Sequence, residues 1–103
     1  MTMYKHLKKM YGEKLVEALF NKLELDKSRP IPIEWQRGQG NTMFAGLVMV
    51  LEKHVNGREF VIVNSSNIEE VPSENRMDIE DMRTHECTVN WVYTALQETL
   101  KHE

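Results

Sequence analysis

Residues 42–65 read TMFAGLVMVLEKHVNGREFVIVNS. Two apolar runs, residues 43–51 and 60–63, flank Asn56-Gly57. An Asn-Gly pair between strand-like runs predicts a β-hairpin, because both central residues of a type I′ turn need φ > 0. A two-residue turn there sets a register in which Val55 faces Arg58, Lys53 faces Phe60 and Leu51 faces Ile62. One face then gathers Leu47, Met49, Leu51, Val55, Phe60 and Ile62, and the other Val48, Val50, Val61 and Val63. A sheet apolar on both sides needs cover on both. One layer of helices covers one side, so the valines are expected to be a self-association face and the chain a homodimer.

The flanking sequence supplies the helices. Leu7, Tyr11, Leu15, Ala18, Leu19 and Leu23 follow helical spacing and predict a helix over residues 3–25, weakened at Gly12 and ended by Ser28-Arg29-Pro30. Residues 31–35 alternate as an edge strand would, with Pro32 where no ladder donor is needed. Residues 64–77 read as a polar connection broken at Pro72 and Ser73. Residues 78–83 allow a helical turn or two, and Val89, Val92, Tyr93, Leu96 and Leu100 form a helical stripe behind a possible N-cap at Thr84. The order is α-β-β-β-α. The expected fold class is α+β: a three-stranded antiparallel meander with N- and C-terminal helices, in two layers and one domain over residues 1–103.

This order, with apolar run, Asn-Gly and apolar run at its centre, resembles the core of the PD-(D/E)xK nucleases over residues 3–66. The resemblance implies an acid opening the strand before the turn and an acid-x-lysine closing the strand after it, to hold a metal ion. Here those stretches read Met43-Phe44-Ala45-Gly46 and Val63-Asn64-Ser65, without acids or lysine. The comparison therefore argues against nuclease activity.

The chain has 103 residues with 41% apolar and 28% charged, a globular balance. The apolar run at residues 43–51 is too short to span a bilayer, and the N-terminus lacks a signal-peptide core. A single cysteine, Cys87, excludes an intrachain disulfide and a Cys-based structural zinc site, which points to the cytoplasm. The net charge of −3 is unevenly spread. Residues 1–29 carry seven Lys/Arg against four acids. Residues 69–86 carry seven acids (Glu69, Glu70, Glu74, Asp78, Glu80, Asp81, Glu86) against two arginines. The acidic segment is the candidate surface for a basic protein partner. Lys5, Lys8, Lys9, Lys14 and Lys22 read as the solvated face of an amphipathic helix, which weighs against nucleic-acid binding in an acidic chain.

Candidates for chemistry are few. His6, His54, His85 and His102 are scattered, so no metal site is expected and no cofactor is implied. His85 and Cys87 are two apart, about 200° on a helix, which argues against a nucleophile–base dyad. On this reading Cys87 is a small core residue and His85 lies at the surface. The segment Trp35, Arg37, Gly38, Gln39, Gly40, Asn41 and Thr42 is the best small-ligand candidate, with glycine backbone N–H groups and a guanidinium suited to a phosphate compound. It fits neither a P-loop nor a dinucleotide fingerprint.

The function expected is therefore a small non-catalytic binding or regulatory protein acting through protein–protein contacts. Viruses and mobile elements encode inhibitors of host proteins in this class. The alternative is a nucleotide or phosphate binder using the Arg37-to-Asn41 loop. A Cys87-dependent enzyme ranks third.

Overall fold

A computed structural model describes residues 2–31, 42–63, 68–72, 75–78 and 82–101. The fold is helical, which corrects the expected α+β meander. Among the described residues, four α-helices surround one core: α1 (Met3–Tyr11), α2 (Glu13–Leu23), α3 (Thr42–Leu51) and α4 (Met82–Lys101). Among the described residues, strand structure is confined to two three-residue segments, β1 (Val61–Val63) and β2 (Arg76–Asp78).

The first helix starts where Thr2 Oγ1 accepts the Lys5 N–H at 3.1 Å, a side-chain N-cap. It buries Met3, Leu7 and Tyr11, one residue per turn. The helix expected over residues 3–25 is then broken at Gly12, which has φ 110° and ψ 135°. Such a dihedral pair is open to glycine and closed to other residues, so the sequence changes direction there. The second helix packs back on the first and buries Val16, Leu19, Phe20 and Leu23. It stops at Leu23, before Ser28-Arg29-Pro30, with Glu24 left-handed at φ 54° and the Leu25 N–H on the Phe20 carbonyl at 3.0 Å. Asp26 then accepts from the Ser28 N–H at 2.8 Å and turns the chain. The turn lets the Met3 N–H donate to the Arg29 carbonyl at 2.9 Å, beside an antiparallel bridge between Thr2 and Pro30. The predicted edge strand at residues 31–35 lies outside the described residues except for Ile31.

The run at residues 43–51 is a helix. Seven of the ten α3 residues are buried (Phe44, Ala45, Gly46, Leu47, Val48, Val50, Leu51), so α3 is sequestered on nearly every side. A helix enclosed this way needs no polar stripe, and its sequence has the same continuous apolar pattern as a buried strand. The Asn-Gly pair is its end signal. The last turn widens into a π-helical turn, Glu52–Asn56, closed by Gly57 in the left-handed region at φ 67° and ψ 15°. Gly57 N–H donates to the Lys53 carbonyl at 3.1 Å and Arg58 N–H to the Glu52 carbonyl at 3.2 Å. Asn56 keeps a negative φ, so no type I′ turn forms.

The second half of the predicted hairpin does become a strand, with a different partner and direction. β1 pairs with β2 in parallel, Val61 with Arg76, Ile62 with Met77 and Val63 with Asp78. Parallel pairing requires a crossover instead of a tight turn, and the described part of the chain between the two strands includes a single helical turn at Ile68–Glu70. The predicted polar connection at residues 64–77 thus contains most of β2, and residues 76–78 are strand where a helical turn was allowed at Asp78.

The C-terminal helix forms as the stripe predicts, but it begins at Met82, so Thr84 lies within it. Val92, Ala95 and Leu96 enter the core with Val89 and Leu100 at its edge. At the α3–α4 crossing, a Cβ built on Gly46 falls 3.0 Å from the Thr88 methyl, so the glycine permits the close approach. Lys22 and Glu98 add an exposed ion pair at 3.0 Å between α2 and α4.

Candidate functional site

A groove of about 560 Å³ lies between the end of α3, the segment from Lys53 to Val61, and α4. Its floor is apolar: Met49, Val50, Phe60, Val89 and Leu96 line it. Tyr93 on α4 and Val61 at the start of β1 stand over it with 54% and 43% of their surface exposed. Both are large apolar groups left in water beside a hollow, which single scattered surface residues are not. The rim is polar, with His54, Asn90 and Gln97 joined by the Lys53 Nζ to Glu59 Oε1 pair at 2.6 Å. The Lys53 hydrogen bond, and then its charge, hold the Glu59 carboxyl below its ordinary value.

Each wall has a local reason for its position. The π turn is anchored from beneath by Glu52, a carboxylate only 7% exposed. The Tyr11 hydroxyl donates to Glu52 Oε1 at 2.7 Å, and Asn56 Nδ2 donates to Oε2 at 3.1 Å. Burial, reinforced by Glu52, pushes the Tyr11 phenol well above its ordinary value, so it remains a donor at any physiological pH. The strand that follows is held by Asn75 Nδ2 donating to the Glu59 carbonyl at 3.3 Å. The Arg58 guanidinium lies 4.8 Å from the Phe60 ring centroid, a cation–π contact that shelters one side of that ring.

The sequence-predicted residues are distributed differently. Trp35, Arg37, Gly38, Gly40 and Asn41 lie outside the described residues, and Thr42 is the first residue of α3. Of the acidic candidates, Glu69 and Glu70 are exposed on the single turn Ile68–Glu70, Asp78 ends β2, and Glu74, Glu80 and Asp81 lie outside the described residues. Val48 and Val50 are buried in this chain's own core on α3, Val61 is exposed at the groove, and Val63 lies in β1, so no hairpin brings the four valines to one sheet face. The argument for a homodimer from a valine-rich sheet face therefore falls with the hairpin.

His85 and Cys87 exchange their expected places. The imidazole is fully buried and the thiol is exposed on α4, so the two point to different sides of the helix and form no dyad. No group of three or more His, Cys, Asp or Glu side chains suited to a metal ion occurs among the described residues. No described helix is long and apolar enough to cross a membrane.

The groove itself was missed in the sequence because its walls are about 40 positions apart. One signal was present. The α4 stripe of Val89, Val92, Tyr93, Leu96 and Leu100 is wider than the face α4 buries, and the surplus aromatic, Tyr93, is the one left exposed. Comparison with protein families, with curated proteins and with solved structures finds no match to this chain.

Proposed function

We propose that this chain is a non-catalytic binding protein that acts through contact with another protein, with the groove between α3 and α4 as the contact surface. The observation that carries the reading is the exposed Tyr93–Val61 pair over an apolar floor, ringed by Lys53, Glu59, Asn90 and Gln97. An apolar centre carrying an aromatic anchor inside a polar rim is the anatomy of a protein–protein contact. The partner chemistry it fits is a segment with one apolar face, helix or strand, whose side chains occupy the floor while its polar edge meets the rim. The lone cysteine favours the cytoplasm as the place of action.

Selection of displayed random peptides on the immobilised chain tests this. The expected outcome is enrichment of peptides with apolar residues spaced along one face. Their affinity for a Tyr93→Glu chain should fall at least about tenfold, about 1.4 kcal/mol. Tyr93 is exposed, so the far-ultraviolet circular dichroism of that variant should stay unchanged. Peptides that bind Tyr93→Glu as tightly, or a selection that enriches none, would overturn the reading.

A further inference from the structure

The imidazole of His85 sits in the first turns of α4 with none of its surface exposed. Its Nε2 lies 3.0 Å from Sδ of Met49 on α3. A thioether sulfur accepts and cannot donate, so Nε2 carries the hydrogen and Nδ1 is a bare lone pair. Nδ1 has no hydrogen-bond partner among the described residues, and under 1 Å² of its surface is accessible in the closed arrangement.

Two cavities meet at this contact. A smaller hollow of about 300 Å³ lies beside His85, lined by Met49, Glu86, Val89 and Asn90. Met49, Val89 and Asn90 also line the large groove. The His85–Met49 contact therefore holds a wall common to both.

Protonation at Nδ1 is poorly tolerated in this position. It places a second N–H where no described group accepts and a positive charge at a buried atom. The facing helix offers no compensation, since α3 (TMFAGLVMVL) has no ionisable side chain. On α4 itself the charge that acts on the ring is the neighbouring carboxylate of Glu86, which is exposed. The positive end of the α4 dipole is also close and opposes a cation. Burial, partly offset by Glu86, lowers the proton affinity of the ring from its ordinary value of 6.5, so the event belongs to the acid side of neutrality.

We propose that His85 is a proton-operated latch. When Nδ1 takes a proton from solvent, the ring leaves Met49 toward Glu86 and water, the first turns of α4 release α3, and the groove changes shape between Met49 and Val89. Only an N–H bond forms in the step. Release at a helix end breaks only the bonds that its carbonyls accept, such as that from Thr88 Oγ1 to the Thr84 carbonyl, because the N–H groups of the first turn have no intrahelical partners. The inference concerns the free chain and stands whether or not a protein occupies the groove.

Methyl and imidazole NMR of the full chain over a falling pH series tests it. The His85 ring and the Met49 methyl should titrate together below 6.5, while the Leu7 and Leu19 methyls in the α1–α2 core stay native. His85→Leu should abolish the Met49 titration. Met49→Leu removes a contact made only while the ring is docked and neutral, so release with proton uptake becomes easier and the His85 midpoint should move upward. The latch is overturned by a Met49 methyl that stays still while His85 titrates, or by one that titrates equally in His85→Leu. It is equally overturned if Leu7 and Leu19 lose native shifts in the same step, if the ring does not titrate before the chain unfolds, or if Met49→Leu leaves the midpoint in place.

Discussion

Gly12 and Gly57 both have positive φ, but they stand in different regions of backbone space. Gly57, at φ 67° and ψ 15°, is in the left-handed well that asparagine also visits. Gly12, at φ 110° and ψ 135°, is in territory where any Cβ clashes with its own backbone. Neither meets a neighbour within 4 Å when a Cβ is added, so the cost of substitution is conformational at both. Gly57→Ala is expected to destabilise by roughly 1 kcal/mol and Gly57→Asn by less. Gly12→Ala and Gly12→Asn are both expected to cost about 1–3 kcal/mol. Urea midpoints of the four variants check this, and equal losses for Gly12→Asn and Gly57→Asn would refute it. The sequence showed Gly12 as a weak point in one helix. A break that folds the helix back needs the whole core to reward it, and that is invisible in local spacing. Tyr11, the residue before it, shows the same limit. Its apolar ring fits the helical stripe, while its hydroxyl serves a carboxylate 41 positions away. Tyr11→Phe removes a buried donor from Glu52 and is expected to cost about 1–3 kcal/mol. Adding Glu52→Leu to Tyr11→Phe should recover part of the loss, measured as a coupling energy in a double-mutant cycle. Strict additivity would mean that the two groups do not interact.

The third helix explains why a hairpin reading was natural. Its ten residues carry no charge, and the pattern by which a helix is distinguished from a strand is the placement of polar residues. Enclosure by its neighbours removes the need for any. The Asn-Gly signal was real, but it has two uses. It caps a helix when the glycine alone is left-handed, and it turns a hairpin when both residues are. What separates them is the partner of the flanking residues: Glu52, which a hairpin would place on a polar tip, is buried under Tyr11. Gly46, at the centre of the run, lets α4 approach. The α3–α4 crossing yields a prediction with a change of sign. A lone Gly46→Ala gains about 1 kcal/mol of helix propensity but sets its Cβ 3.0 Å from Thr88 Cγ2. That methyl cannot rotate away freely, because Thr88 Oγ1 donates to the Thr84 carbonyl at 3.0 Å. Thr88→Ser keeps the hydrogen bond and removes the methyl. Gly46→Ala should therefore destabilise the wild-type chain and stabilise the Thr88→Ser chain. The same sign in both backgrounds, by thermal or urea melts, would show that the methyl does not set the crossing.

Across the chain, helix signals at both ends were legible and the middle was not, because only the ends carry alternating polar and apolar faces. The groove was less legible still, since it forms from Met49, Phe60, Val61 and Tyr93, residues far apart in sequence that packing alone brings together. His85 is the sharpest case: a histidine beside Glu86 reads as surface, and the fold buries it against Met49. This burial links the stability of the whole chain to pH, and the sign follows from which state holds the proton more tightly. Burial lowers the proton affinity of His85 in the folded chain below its ordinary value of 6.5. The unfolded chain therefore binds that proton more readily, and protonation favours unfolding. The contribution of His85 is fully present above 6.5 and is lost as pH falls from there through the lower folded value. Its slope is bounded at about 1.4 kcal/mol per pH unit, the value for one proton. Two exposed carboxylates act in a separate window. Asp26, hydrogen-bonded by Ser28, and Glu59, bonded by Lys53, both have lowered values, so their contributions hold above the ordinary 3.8 and 4.5 and vanish only below them. The interval between 4.5 and 6.5 thus isolates His85 from these two. Urea denaturation of the wild-type and His85→Leu chains across that interval should give curves that run parallel above 6.5 and separate below it, with the wild type losing stability faster. Curves that remain parallel down to 4.5 would mean that His85 holds its proton equally in both states, and that its burial has no thermodynamic consequence for the fold.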